Sequence, residues 1–135
     1  MRAVVVDTSA LIRLYVPDGP IPEGLEAAVA AAWRGEALLM APDLLLAEVG
    51  QVLRKKERAG YLRKDESDEI LAVVLALPIE TLPHRALLAD ALDLARETNL
   101  TVYDALFLAL AKGRGAALIS ADERLVNCLD GLASW

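Results

Sequence analysis

The chain has 135 residues, of which 56% are hydrophobic, a formal net charge of −6 and a single cysteine. That length suits one domain around one core rather than two, and the acidic balance argues against a surface that grips phosphate backbones indiscriminately. Cys128 excludes an internal disulfide and agrees with a reducing, cytoplasmic setting, while no apolar run approaches the roughly 20 residues of a membrane span and the N-terminus lacks a signal-peptide pattern.

Met1 to Val6 reads as a short buried strand, continuous in apolar residues from Ala3 rather than alternating, as a strand covered on both faces should be. Asp7, Thr8 and Ser9 offer capping side chains to a helix over Ala10 to Tyr15. Pro17-Asp18-Gly19-Pro20 and Pro22 break the chain before a helix from Glu23 to Arg34 that ends at Gly35. Ala37 to Met40 is a second strand, Pro42 marks a helix start, and Asp43 to Ala59 forms a long helix closed by Gly60. Further helices are expected from Lys64 to Leu77, from Pro83 and His84 to Thr98, and from Thr101 to the glycines at 113 and 115. Strands are expected at Pro78 to Leu82 and Ala116 to Ser120, followed by a short helix from Glu123 to Leu129 and an extended piece at Leu132 to Trp135. Short apolar strands alternating with helices predict a parallel sheet with helices on both faces.

Four acids stand out because each sits among core-forming residues. Asp7 closes Ala3-Val4-Val5-Val6, Glu48 lies in LLLAEVGQVL, Asp104 in LTVYDALFLALA, and Asp122 follows Ala116-Ala117-Leu118-Ile119. Buried charges need partners or shift their pKa. Asp7 and Asp122 follow strands and so project at the carboxyl edge of the sheet, where α/β folds bind ligands. Asp104 falls in the first turn of a helix starting near that edge, and Glu48 shares the apolar face of its helix with Leu44, Leu45 and Val52. Each also has a local explanation: Asp7 and Asp122 as N-caps, Asp104 pairing with Thr101, Glu48 satisfied by a buried Arg. If the four converge, two carboxylates 4 Å apart repel by about 4 kcal/mol at an effective dielectric near 20. A convergent set therefore needs protons or a cation, and all-oxygen ligands point to Mg²⁺ or Mn²⁺. Zinc is disfavoured, because one His and one Cys do not supply its usual ligands.

Between Arg54 and Lys64, the residues Arg54, Lys55, Lys56, Arg58, Arg63 and Lys64 stand against one acid, Glu57. Such clustering complements the negative end of a helix dipole or offers a handhold to a polyanion. His84, after Pro83 at an element start, is expected to be structural, and Cys128 to act as a small buried hydrophobe.

The segments VVVDTSALIRLY, LLLAEVGQVLRK, TVYDALFLALA and ALISADERL, in this order and spacing, resemble the PIN-domain superfamily of metal-dependent nucleases, and most closely its small VapC-type toxins. The resemblance spans the chain. It implies one PIN-like nuclease domain over residues 1–135, a three-layer α/β/α sandwich around a short parallel sheet. It further implies that Asp7, Glu48, Asp104 and Asp122 form an acidic set for Mg²⁺ or Mn²⁺, with Ser9 hydrogen-bonding behind the first acid. The expected activity is endoribonuclease action through metal-activated water, giving 5′-phosphate and 3′-hydroxyl ends, with Arg13, Arg54, Lys55 and Arg58 as candidate RNA contacts. The expected partners are RNA, a cognate VapB-like antitoxin laid across the active site, and a second copy of the chain. The high apolar fraction agrees with the last, and Ile70, Val73 and Val74 are placed on a solvent-side face that could form it, or else pack into the core. A haloacid dehalogenase phosphatase would carry a second Asp where Ser9 stands. A response-regulator receiver domain would show a paired acid near the first strand and a Lys after the last. The readings left beside a toxin are a PIN nuclease of RNA processing and a non-catalytic PIN-like binding protein.

Overall fold

The computed structural model describes residues 1–133 and contains four strands: β1 (Arg2–Val6), β2 (Ala37–Pro42), β3 (Ile79–Leu82) and β4 (Ala117–Ile119). Seven helices accompany them among the described residues: α1 (Thr8–Ile12), α2 (Leu25–Trp33), α3 (Leu44–Arg58), α4 (Lys64–Ala76), α5 (Leu88–Thr98), α6 (Val102–Arg114) and α7 (Glu123–Ala133). A 3-10 turn at His84–Ala86 precedes α5.

All pairings are parallel and the strand order is β3-β2-β1-β4. The first two crossovers step outward from β1 in one direction, and the last returns to its other side. Right-handed connections therefore place α1 to α4 on one face and α5 and α6 on the other, the three-layer sandwich expected. The reversal also makes a crevice beyond the carboxyl ends of β1 and β4, the usual ligand position in such sheets.

The core is continuous across the layers. Val4, Val5 and Val6 of β1 are fully buried, as are Leu11, Leu25, Leu45 and Leu108. Helix α6 is buried at every position from Ala105 to Ala111, because it packs on β1, β2 and β4 and is itself covered by α5 and α7. A helix apolar on all sides fits only such an interior slot. Its N-terminus is fixed by Thr101, whose Oγ accepts from the Asp104 N–H at 3.1 Å. Asn99 ends α5 in the left-handed region, with φ of 61°. No helix among the described residues is long and apolar enough to cross a membrane.

Several boundaries differ from the sequence expectations. Pro42 ends β2 instead of opening a helix: its partner is Leu82, and the neighbouring Asp43 N–H bonds to the Leu82 carbonyl at 2.9 Å. Helix α1 stops at Ile12, and the chain reaches Val16 through tight turns. Val74 is buried at 3% exposure, not on the solvent side, since α4 turns Ser67, Leu71 and Val74 inward. Ile70 also packs against the core, so Val73 with Leu75 forms the exposed edge. Leu132 and Ala133 extend α7, so the extended piece does not form there, and Ser134 and Trp135 lie outside the described residues. His84 has the structural place expected: its Nδ1 lies 2.7 Å from Asp43 Oδ1, which also accepts the His84 N–H, and holds the Asp43 carboxyl below its ordinary range. Cys128 is half-buried against the core.

Candidate active site

Asp7 follows β1 directly and caps α1, its Oδ1 accepting from the Ala10 N–H at 2.9 Å and from Ser9 Oγ at 2.8 Å. Its second oxygen accepts from Ser120 Oγ at the end of β4. The two serines are themselves tied into the β4–α7 junction: Ser9 Oγ accepts from the Ala121 N–H at 3.1 Å, and Ser120 Oγ accepts from the Asp122 N–H at 2.9 Å. The local N-cap role foreseen for Asp7 is thus real and coexists with a wider one. The carboxylate is only 6% exposed and fastens two neighbouring strand ends together.

Glu48 points from α3 toward the same place, and its partner is Thr8, whose Oγ donates to Oε1 at 2.8 Å, not a buried arginine. Asp122 opens α7 with Oδ1 accepting from the Arg124 N–H at 3.0 Å. The Asp104 carboxylate has no hydrogen-bond donor among the described residues; the bond to Thr101 involves its backbone alone.

All four acids line one cavity of about 420 Å³, together with Thr8, Ser9, Ile12, Arg13, Asp18, Gln51, Val52, Lys55 and Phe107. Burial pushes the Asp7 carboxyl above its ordinary pKa, against the pull of Ser120, Ala10 and Ser9, and the Asp104 charge adds to the rise. Glu48 is raised likewise, first by burial and then by Asp104 and Asp7, with Thr8 opposing. The acids therefore feel one another, as like charges sharing a site do. Asp18 is neutralised separately by Lys56 Nζ at 2.7 Å.

No group of three or more His, Cys, Asp or Glu side chains among the described residues stands ready to hold a metal ion. Asp7 and Glu48 are each held by hydroxyl donors, Ser9, Ser120 and Thr8. The donor set nevertheless fits a hard divalent ion, being all oxygen and gathered around one cavity, with only Asp122 paired to a cation among the described residues, Arg124 at 3.5 Å.

Of the basic candidates, Arg13 and Lys55 reach the cavity, whereas Arg54 and Arg58 are not among its lining residues. The Arg13 guanidinium donates to the Pro20 carbonyl at 2.9 Å and lies against Gly19. Gly19 has φ of 148°, so the backbone of that turn favours glycine. Sequence reasoning missed Thr8, Ser120 and Gln51. The hydroxyl residues beside Asp7 and two before Asp122 were a usable signal, since short side chains next to a buried acid are its nearest donors.

Residues 4–128 match the PIN domain family. The chain belongs to that family. Ribonuclease VapC3 of Pyrobaculum aerophilum is 36% identical to this PIN domain over 97% of the chain and 98% of the relative. Ribonuclease VapC1 of Mycobacterium tuberculosis is 31% identical over 93% and 90%. Among solved structures, PAE2754 from Pyrobaculum aerophilum superposes with a TM-score of 0.67 at 25% identity, covering 98% of this chain and 95% of the other. VapC20 of Mycobacterium tuberculosis, described as a toxin that cleaves the sarcin-ricin loop, shares the fold with a TM-score of 0.57 at 16% identity over 92% and 93%.

Proposed function

We propose that this PIN domain is a Mg²⁺- or Mn²⁺-dependent endoribonuclease and the toxin of a toxin–antitoxin pair. The observation that carries the reading is the shared cavity: four acids from four separate stretches of chain open into one space at the carboxyl edge of the sheet. The ribonuclease names of relatives that align along nearly their whole lengths support it.

Asp7, Asp104 and Asp122 are the groups that would hold the ion, with Glu48 beside them. When bound, the ion offsets the negative charge of the cluster and of an RNA phosphodiester, and lowers the pKa of a bound water. The chain's own contribution is placement. Ser9, Ser120 and the Ala10 N–H fix both oxygens of Asp7, Thr8 fixes one of Glu48, and Asp104 is left without a competing donor. No protein nucleophile is needed, which accords with a chain whose one histidine is engaged with Asp43. An acidic groove of this kind suits an arginine-bearing antitoxin segment as inhibitor.

The test is cleavage of total RNA by the purified chain in EDTA, Mg²⁺ or Mn²⁺, beside an Asp7→Asn Asp104→Asn double variant. Cleavage that needs the ion and disappears in the variant is the expected result. Equal cleavage by both proteins would overturn the assignment.

A further inference from the structure

Gln51 and Val52 lie three and four residues after Glu48 and four and three before Lys55, the spacings of a single helix face, and all four line the cavity. This α3 stripe leads away from the acids toward a cation. Lys55 lies seven residues beyond Glu48, about 10 Å along the helix axis, so the cavity has an acidic end and a basic end on one wall.

The surrounding cations are committed elsewhere. Arg54 pairs with Glu57 at 3.1 Å, Lys56 binds Asp18 and sits over the Tyr61 ring at 5.2 Å, and Arg13 holds the Pro20 carbonyl. Arg58 is exposed outside the cavity lining. Lys55 is exposed and lines the cavity, and its ammonium has neither an ion pair nor a hydrogen bond among the described residues. A solvated lysine ammonium at the end of an acidic trough is a point charge ready for a phosphate.

Resting on the ribonuclease reading, we infer that Lys55 is the residue of the basic segment that contacts the RNA, at a phosphate flanking the one that is cut. Two helical turns separate it from Glu48, so the contact is remote from the reacting phosphate. It serves binding of substrate and transition state equally, so its loss raises KM and leaves kcat in place. Arg54 and Arg58 contribute only to the general field.

The experiment measures anisotropy of a fluorescein-labelled single-stranded RNA of mixed sequence across a KCl series, with Ca²⁺ in place of Mg²⁺ to hold off cleavage. Wild type is compared with Lys55→Ala, Lys55→Arg and Arg54→Ala, each checked for an unchanged melting temperature. Loss of one phosphate contact should make the slope of log K against log salt shallower by roughly 0.7 in Lys55→Ala. Lys55→Arg and Arg54→Ala should keep the wild-type slope. A wild-type slope in Lys55→Ala, or an equal change in Arg54→Ala, overturns the assignment of Lys55 alone. A wild-type chain that binds no RNA at any salt overturns the ribonuclease reading, and this inference with it.

Discussion

Replacing Ser120 with alanine removes one hydroxyl and should unfasten the joint between β1 and β4. Ser120 Oγ donates to Asp7 Oδ2 and accepts the Asp122 N–H. Water can replace the second bond at the half-exposed loop, but Asp7 is 6% exposed, so its oxygen is left without a donor. A hydrogen bond to a charged group contributes about 1.5–3 kcal/mol. With an unfolding entropy of roughly 2.1 cal/mol/K per residue over 135 residues, the melting temperature should fall by about 5–11 °C. The loss should depend on pH with a definite sign. Ser120 holds the Asp7 pKa down against burial, so the variant's Asp7 has the higher pKa of the two. The difference in stability is therefore full at pH above both folded-state pKa values, where Asp7 is ionised in both proteins. It narrows as the pH falls through the folded-state pKa toward the ordinary aspartate value of 3.8. Thermal melts followed by circular dichroism in EDTA, at neutral pH and at steps below it, measure both quantities. A drop under about 1 °C at neutral pH, or a gap that stays constant on acidification, would refute the account of Asp7 as a charged strand fastener.

Glu48→Gln keeps an acceptor for Thr8 but removes a charge that burial, Asp104 and Asp7 disfavour, so the metal-free variant should melt higher than wild type at neutral pH. That gain should vanish as the pH falls below the ordinary glutamate value of 4.5, and Mg²⁺ should raise the melting temperature of wild type more than that of the variant. Ser67→Ala should stabilise by about 1 kcal/mol or more in chemical denaturation, because the Ser67 hydroxyl is buried without a partner among the described residues; a loss of stability would mean that a bound water satisfies it. Leu11→Ala, at a fully buried position in α1, should cost about 2–5 kcal/mol in the same assay.

The layer order and nearly every element were legible in the sequence because each signal was local: apolar runs for buried strands, and Gly or Pro at the breaks. Where local signals conflicted with partners, they misled. Pro42 suggests a helix start in isolation, but pairing with β3 draws it into β2. Val74 could be read to either side of α4, and only the docked helix decides. The four acids were recognisable one by one through their apolar company, yet their meeting depended on strand order, which no single segment encodes. Thr8 and Ser120 stayed hidden for a different reason: a hydroxyl's partner is set by angles that sequence spacing does not convey. The basic run was visible as charge, whereas its division into paired and unpaired members follows from partners such as Glu57 and Asp18, three and 38 residues away in sequence yet both within salt-bridge reach.

The β1–β4 pairing joins Val4, Val5 and Val6 to Ala117, Leu118 and Ile119. The Asp7–Ser120 bond beside this pairing spans 113 residues of sequence. Until β4 docks, Asp7 lacks Ser120 and the cavity lacks its wall at Asp122. Under the ribonuclease reading, a chain whose β4 has not paired with β1 has no complete site, so folding itself gates the activity.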